Sequence, residues 1–224
     1  MCGRYTLRTA PADVQQVFDL IDLPDFAPRY NIAPTQLAPV VRRDDHGDRR
    51  AAMLRWGLVP SWAKDSKGAA RMINARAETV AAKPAYRAAF KRRRCLAIAD
   101  GYLEWRTEQG EKQPYHFHQP DNGPLGLAAL WESWQETEDS PPLESYSVIT
   151  TDASDATRDV HDRMPVILPA SAYDQWLDPA TNPADLQSLL VPFAGRLVND
   201  AVNKCVNNAR HDAPDCLLKQ KRLF

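Results

Sequence analysis

Long apolar runs are missing from this chain. Nowhere do roughly 18 consecutive apolar residues occur, the minimum for a bilayer-crossing helix, and no basic-then-apolar leader opens the sequence. No membrane partner is therefore expected, and a cytoplasmic location is the default. Cysteine is scarce: Cys2, Cys95, Cys205 and Cys216 are far apart in sequence and form no C-x-x-C pair. That spacing argues against a metal site or a disulfide framework and for a reducing compartment. Glycine is low, 9 residues against 18 prolines, which favours rigid turns over flexible linkers. Neither a G-x-G-x-x-G nor a Walker pattern occurs, which excludes those two phosphate cradles. Net charge is nearly absent as well, at −1.

What is present suffices for one sizeable core: 224 residues, 44% of them hydrophobic, read as a single domain over 1–224. The small net charge hides an asymmetry. Residues 1–106 hold 19 Lys+Arg against 11 Asp+Glu, and residues 107–224 hold 9 against 18. Two readings stay open: a basic face that meets phosphates, or two halves that interleave and cancel locally.

Apolar spacing predicts a helix over 10–20, with Thr9 as its N-cap and Val14, Val17, Phe18 and Ile21 on one face. Strands are expected at 37–42, 51–58, 95–100 and 102–105. Residues 113–118 and 125–131 read as a hairpin-like pair, with Asn122-Gly123 in its turn; further strands are expected at 146–151, 164–168 and 196–203. Helices are expected at 84–93, 171–177 and 183–190, and Arg29-Tyr30-Asn31-Ile32-Ala33-Pro34 reads as a polar loop. The run Lys91-Arg92-Arg93-Arg94 suits a helix C-terminus or a phosphate backbone. The tail from Asn207 carries little signal.

The chemistry-bearing residues begin at Met1-Cys2-Gly3-Arg4. Initiator Met is normally trimmed before a small residue, which makes Cys2 the mature N-terminus. Its α-amine titrates near ~8 and its thiol near ~8.5, so both are partly nucleophilic at neutral pH. An amine and a thiol two carbons apart can condense with an aldehyde to an imine and then close a thiazolidine ring. Trp62, in a loop after Pro60, can stack on an unpaired base. Glu104, flanked by Leu103 and Trp105, carries a carboxylate in apolar company, a setting that raises pKa and suits proton shuttling. His161 lies between Val160 and Asp162 with Asp159 nearby, carboxylates that fix its tautomer and raise its pKa.

Six segments, in order, resemble the SOS-response-associated peptidases, abasic-site processing proteins that crosslink to damaged single-stranded DNA. They are Met1–Arg4, Arg29–Pro34, Trp56–Trp62, Ile73–Thr79, Ala99–Trp105 and Val160–Pro165, covering roughly residues 1–205. The resemblance implies an α+β fold: a single domain with a central barrel-like or bifurcated, mostly antiparallel β-sheet flanked by helices. It implies removal of Met1 by a peptidase-like activity of the chain itself. Carried over residue by residue, it makes Cys2 the nucleophile. Asn74 senses the abasic sugar, and Glu104 and His161 stabilise it and move protons. Arg4, Arg76, Trp62 and Asn31 are the implied DNA-binding residues. The implied partner is single-stranded DNA containing abasic sites, met by a monomer that needs no metal and no organic cofactor. An imine left unclosed has β-elimination open to it, a lyase outcome.

Other readings of the same residues remain. A mature Cys-Gly start also begins the N-terminal-nucleophile glutamine amidotransferases, which would release ammonia from glutamine. A non-covalent single-strand binder would leave Cys2 idle and show only reversible, salt-sensitive binding. A Cys-His protease would pair Cys2 with His161.

Overall fold

A computed structural model describes residues 2–220; Met1, and with it the expected Met1 removal, lies outside the described residues. In chain order the elements are β1 (Arg4–Leu7), α1 (Pro11–Phe18), β2 (Arg29–Ile32), β3 (Leu37–Arg43), β4 (Arg49–Trp56), β5 (Asn74–Arg76), α2 (Arg87–Arg92), β6 (Arg94–Ala99), β7 (Gly101–Glu108), β8 (Glu111–His118), β9 (Leu125–Trp134), β10 (Leu143–Asp152), β11 (Arg163–Pro165), β12 (Ile167–Leu168), α3 (Tyr173–Leu177), α4 (Pro183–Ser188) and β13 (Val198–Ala201).

The strands form two sheets. In the larger one β3, β4, β10, β9 and β6 close a ring: β3 pairs with β4 and β6, β9 with β6 and β10, and β10 runs parallel to β4. Closure removes exposed edges. The second sheet has the order β13-β8-β7-β1-β2. The expected α+β domain with a barrel-like centre and flanking helices is what the chain forms.

Alternating strands with one dense apolar face build the core. β6 is buried along its whole length, and Trp56, Trp176, Tyr5, Tyr102, Tyr146, Phe18 and Phe90 are shielded from solvent. Each such side chain contributes about 2–3 kcal/mol on burial. Two contacts tie the sheets together at β1. The Tyr5 hydroxyl meets that of Tyr146 on β10 at 2.5 Å, and the Tyr5 ring packs edge-on to Trp56, centroids 5.1 Å apart. Asp100 anchors the other end of β1 by accepting from Thr6 Oγ1 (2.6 Å) and from the backbone N–H groups of Arg8 and Thr9. At Gly101 a Cβ would sit 2.1 Å from His116 Nε2, so only glycine lets β7 approach this network.

Several expectations are corrected. Segments 113–118 and 125–131 do not pair: β8 lies between β7 and β13, whereas β9 lies in the barrel. The Asn122-Gly123 turn therefore connects the two sheets, with Asn122 at φ 58°. Thr9 does not cap α1; its hydroxyl goes to Asp100, and Ala10 occupies the N-cap. The 29–34 loop is strand β2, held because Asp212 accepts from the Tyr30 and Asn31 N–H groups. The expected strand 164–168 divides at Val166, which pairs with Ile149 and Ala128 instead.

The oppositely charged halves interleave. Arg42 pairs with Glu144 (2.6 Å), Arg93 with Glu132 (2.7 Å) and Arg49 with Asp174 (2.8 Å). Within the basic run, Arg94 is 3% exposed and donates to the carbonyls of Phe90, Lys91, Trp176 and Asp178. It closes the C-terminal end of α2 and fastens α3 to it; Lys91 and Arg92 stay exposed. Arg94→Ala takes a donor from four carbonyls, of which that of Asp178 keeps the Thr181 N–H, and is expected to lower unfolding free energy by about 3 kcal/mol or more. Urea unfolding checks this; a loss within about 0.5 kcal/mol would mark Arg94 as a surface charge.

Candidate active site

Cys2 enters β1 fully buried, its Sγ 3.8 Å from the Arg4 carbonyl oxygen. The register Arg4↔Leu103 brings the start of the chain alongside Glu104 on β7. From the barrel, β5 lies parallel to β10 with Asn74 opposite Val148. Asn74 Nδ2 donates to the Cys2 carbonyl oxygen at 2.7 Å, and its own carbonyl accepts from Tyr86 Oη at 3.1 Å. The side-chain oxygen of Asn74 is buried with no hydrogen-bond partner among the described residues, an acceptor aimed at nothing the described chain supplies. His161, in the loop between β10 and β11, brings Nε2 to 3.9 Å from Glu104 Oε2. Its Nδ1 lies 3.0 Å from the Arg163 backbone nitrogen and 2.8 Å from Asp162 Oδ1, so the ring is held with Nε2 facing Glu104. Residues far apart in sequence thus converge where the two sheets meet.

Burial sets the electrostatics. Glu104 is 3% exposed, and desolvation pushes its carboxyl up to about 7, with the charge of Asp162 adding to the rise. Partial burial lowers the His161 pKa, which corrects the expected rise: desolvation outweighs the flanking Asp162 carboxylate. Burial likewise drives the Cys2 thiol far above its ordinary value, with the Glu104 charge contributing. The partly ionised thiol expected from a free cysteine is therefore a protonated one in this site. Tyr102, which the sequence offers only as the first residue of the expected strand at 102–105, lies in the same electrostatic neighbourhood. Its buried phenol is raised by desolvation and by the charges of both Cys2 and Glu104.

The expected DNA-binding residues divide. Asn31 is fully buried; its amide donates to the carbonyls of Val206, Asn208 and His211, and its Oδ1 accepts from Arg4. Arg4 Nη1 also donates to the Val206 carbonyl at 2.7 Å, and its guanidinium lies over Trp105 at 5.9 Å. Both hold the C-terminal segment against the second sheet. Arg76 is exposed on β5, and Trp62 is 67% exposed in the segment from β4 to β5 that also displays Lys64, Lys67 and Arg71.

The description "SOS response associated peptidase (SRAP)" belongs to a family model that matches residues 1–209. The chain belongs to this family. Among relatives of this SRAP chain, the abasic site processing protein YoaM of Bacillus subtilis is 38% identical over 223 residues, covering 97% of each chain. The abasic site processing protein HMCES of Xenopus tropicalis is 33% identical over 261 residues, covering 97% of this chain and 78% of the relative. A solved structure from Bacteroides thetaiotaomicron superposes with a TM-score of 0.88 at 23% identity, covering 98% of this chain and all of its own; the likeness is one of fold alone. One from Bordetella bronchiseptica matches with a TM-score of 0.77 at 29% identity, covering 90% and 100%. No helix among the described residues is long and apolar enough to cross a membrane.

Proposed function

We propose that this SRAP chain processes abasic sites in single-stranded DNA by forming a covalent thiazolidine between Cys2 and the deoxyribose aldehyde. The observation that carries the reading is the buried Glu104 carboxyl, with a pKa of about 7, set beside both the chain's start and His161 Nε2. Relatives named as abasic site processing proteins support the same substrate.

The steps follow from the chemistry. Removal of Met1, by hydrolysis of the Met1–Cys2 peptide bond at this site, frees the Cys2 amine. Protonated Glu104 gives its proton to the ring oxygen of the closed sugar while the C1 hydroxyl loses its own to water; the C1–ring-oxygen bond breaks and the aldehyde forms. The amine attacks that carbon, water leaves, and an imine forms. The thiol sulfur then bonds the same carbon as the C=N double bond becomes single; the thiol proton passes to the Glu104 carboxylate and the nitrogen takes a proton from water to become the ring N–H, so the low acidity of the buried thiol is met by a base already in place. Asn74 fixes the Cys2 carbonyl, and its unpartnered oxygen accepts from a sugar hydroxyl. Held geometry of this kind substitutes for high reactant concentration.

Incubation with uracil-containing single-stranded DNA after uracil removal, resolved on a denaturing gel, tests the reading. A slow-migrating adduct that resists heat and detergent supports it; reversible binding alone sinks it. A second expected outcome concerns the DNA form. The exposed Trp62 stacks on an unpaired base but enters a stacked duplex only at a cost. Crosslinking is therefore expected to run about 10-fold faster on a single strand than on a matched duplex. Equal yields would remove Trp62 as a base platform.

A further inference from the structure

Folding brings Cys205, His211, Asp215 and Cys216 together: one ligand-capable atom from each lies within 4.8 Å of all the others. Cys205 and Cys216, apart in sequence, are neighbours in space. Two 3-10 turns, Lys204–Asn207 and Pro214–Leu217, close a C-x5-H-x3-D-C loop that lacks the tight C-x-x-C knuckle. His211 Nε2 stands 2.7 Å from Asp215 Oδ1, and Cys216 Sγ is 3.5 Å from the His211 carbonyl oxygen. Cys216 is buried, while the other three are half-buried and open to an ion arriving from solvent.

We propose that this cluster binds one zinc-type divalent cation through the Cys205 and Cys216 sulfurs, a His211 ring nitrogen and an Asp215 carboxylate oxygen. Two thiolates, an imidazole and a carboxylate form a donor set that zinc takes and that calcium and magnesium do not. Tetrahedral zinc holds an N/O ligand pair about 3.3 Å apart and a sulfur pair about 3.8 Å apart. The cluster reaches those separations by side-chain shifts of about 1 Å or less from where the atoms now stand. Binding displaces one proton from each thiol. The resulting centre carries a net charge of −1, and the guanidinium of Arg4, within electrostatic reach of Cys216, offsets it.

The location gives the cation something to hold. The Val206 carbonyl in the first turn accepts from Arg4 on β1, and the His211 carbonyl, between the turns, accepts from Asn31 on β2 at 2.7 Å. A cation joining the turns locks the segment against which both strands rest.

The test uses the full chain purified with reductant and then stripped of metal. Titration with Co2+ is expected to produce the visible ligand-field bands of a tetrahedral site and the near-ultraviolet sulfur-to-cobalt bands. About one equivalent of Zn2+ should bleach them. Cys205→Ser and Asp215→Asn, both at half-exposed positions, should bind Co2+ on the order of 100-fold more weakly while circular dichroism shows the fold kept. Absence of tetrahedral bands in the reduced wild type overturns the proposal. So do unchanged bands in Cys205→Ser, and so does a chain that persists as a Cys205–Cys216 disulfide in reductant and takes up no cation.

Discussion

A chain whose Cys2 amine is blocked, by retained Met1 or by an N-terminal tag, is expected to lose at least about 100-fold in abasic-site adduct, with or without borohydride. Cys2→Ser should behave differently. Asn74 grips the Cys2 carbonyl oxygen, a backbone atom, so the position of residue 2 does not depend on its side chain. Serine also permits Met1 removal, and its amine still forms the imine. A hydroxyl closes the ring far less readily than a thiol, so the imine stays reversible. Little adduct is expected on a denaturing gel without reductant, and a covalent one when borohydride traps the imine. If the tagged chain crosslinks as well as the mature one, the α-amine is not the nucleophile and the aminothiol chemistry is wrong.

Replacing Glu104 by glutamine separates activity from stability. Proton transfer by a placed carboxyl is worth about 100-fold or more, so crosslinking by Glu104→Gln should slow by that order. The wild-type limb near pH 7 should vanish from its rate profile. The stability effect has the opposite sign. Because burial raises the folded-state pKa from 4.5 to about 7, the folded chain holds a proton that the unfolded chain has already lost between those values. Wild-type stability therefore falls as pH rises from about 4.5 to 7 and stays low above it. The glutamine variant carries no such penalty. It should match the wild type at pH 4.5 and exceed it at pH 8, by at most about 3 kcal/mol. Unfolding midpoints at the two pH values read this directly. Equal midpoints at pH 8 would mean that the carboxylate is well solvated, and an unchanged rate profile would take Glu104 out of the chemistry.

Long alternating or densely apolar segments were legible in the sequence. Residues 37–43, 94–99 and 143–152 carry their period openly, because one face or both must leave water. The strands that place the site were not. β2 and β5 are short and polar, and they exist because a neighbour claims their backbone: Asp212 for β2, β10 for β5. Local periodicity has no access to such partners. The hairpin at 113–131 went wrong for a related reason: a two-residue turn signal reports a reversal, not whether the next strand returns to the same sheet. Cys2, Glu104 and His161 were legible one by one from their chemistry; that they act together, and that Asn74 joins them, was legible only through the family resemblance. Their environment was misjudged for His161 and Cys2, where burial, invisible in a linear pattern, decides the pKa. The Cys205–Cys216 meeting was missed because its loop is longer than the spacings that mark metal knuckles.

The clasp between the chain's start and its last segments has a consequence for the timing of biosynthesis. Cys2 leaves the ribosome long before Glu104, His161 and Val206, which settle the surroundings of this segment and emerge in that order. At 5–20 residues per second, roughly ten seconds or more separate the appearance of residue 2 from that of residue 206. Throughout that interval the start of the nascent chain has no pocket to enter. It becomes a shielded, positioned reagent only after Val206 has emerged, so a product truncated before that residue carries the nucleophile without the apparatus that directs it.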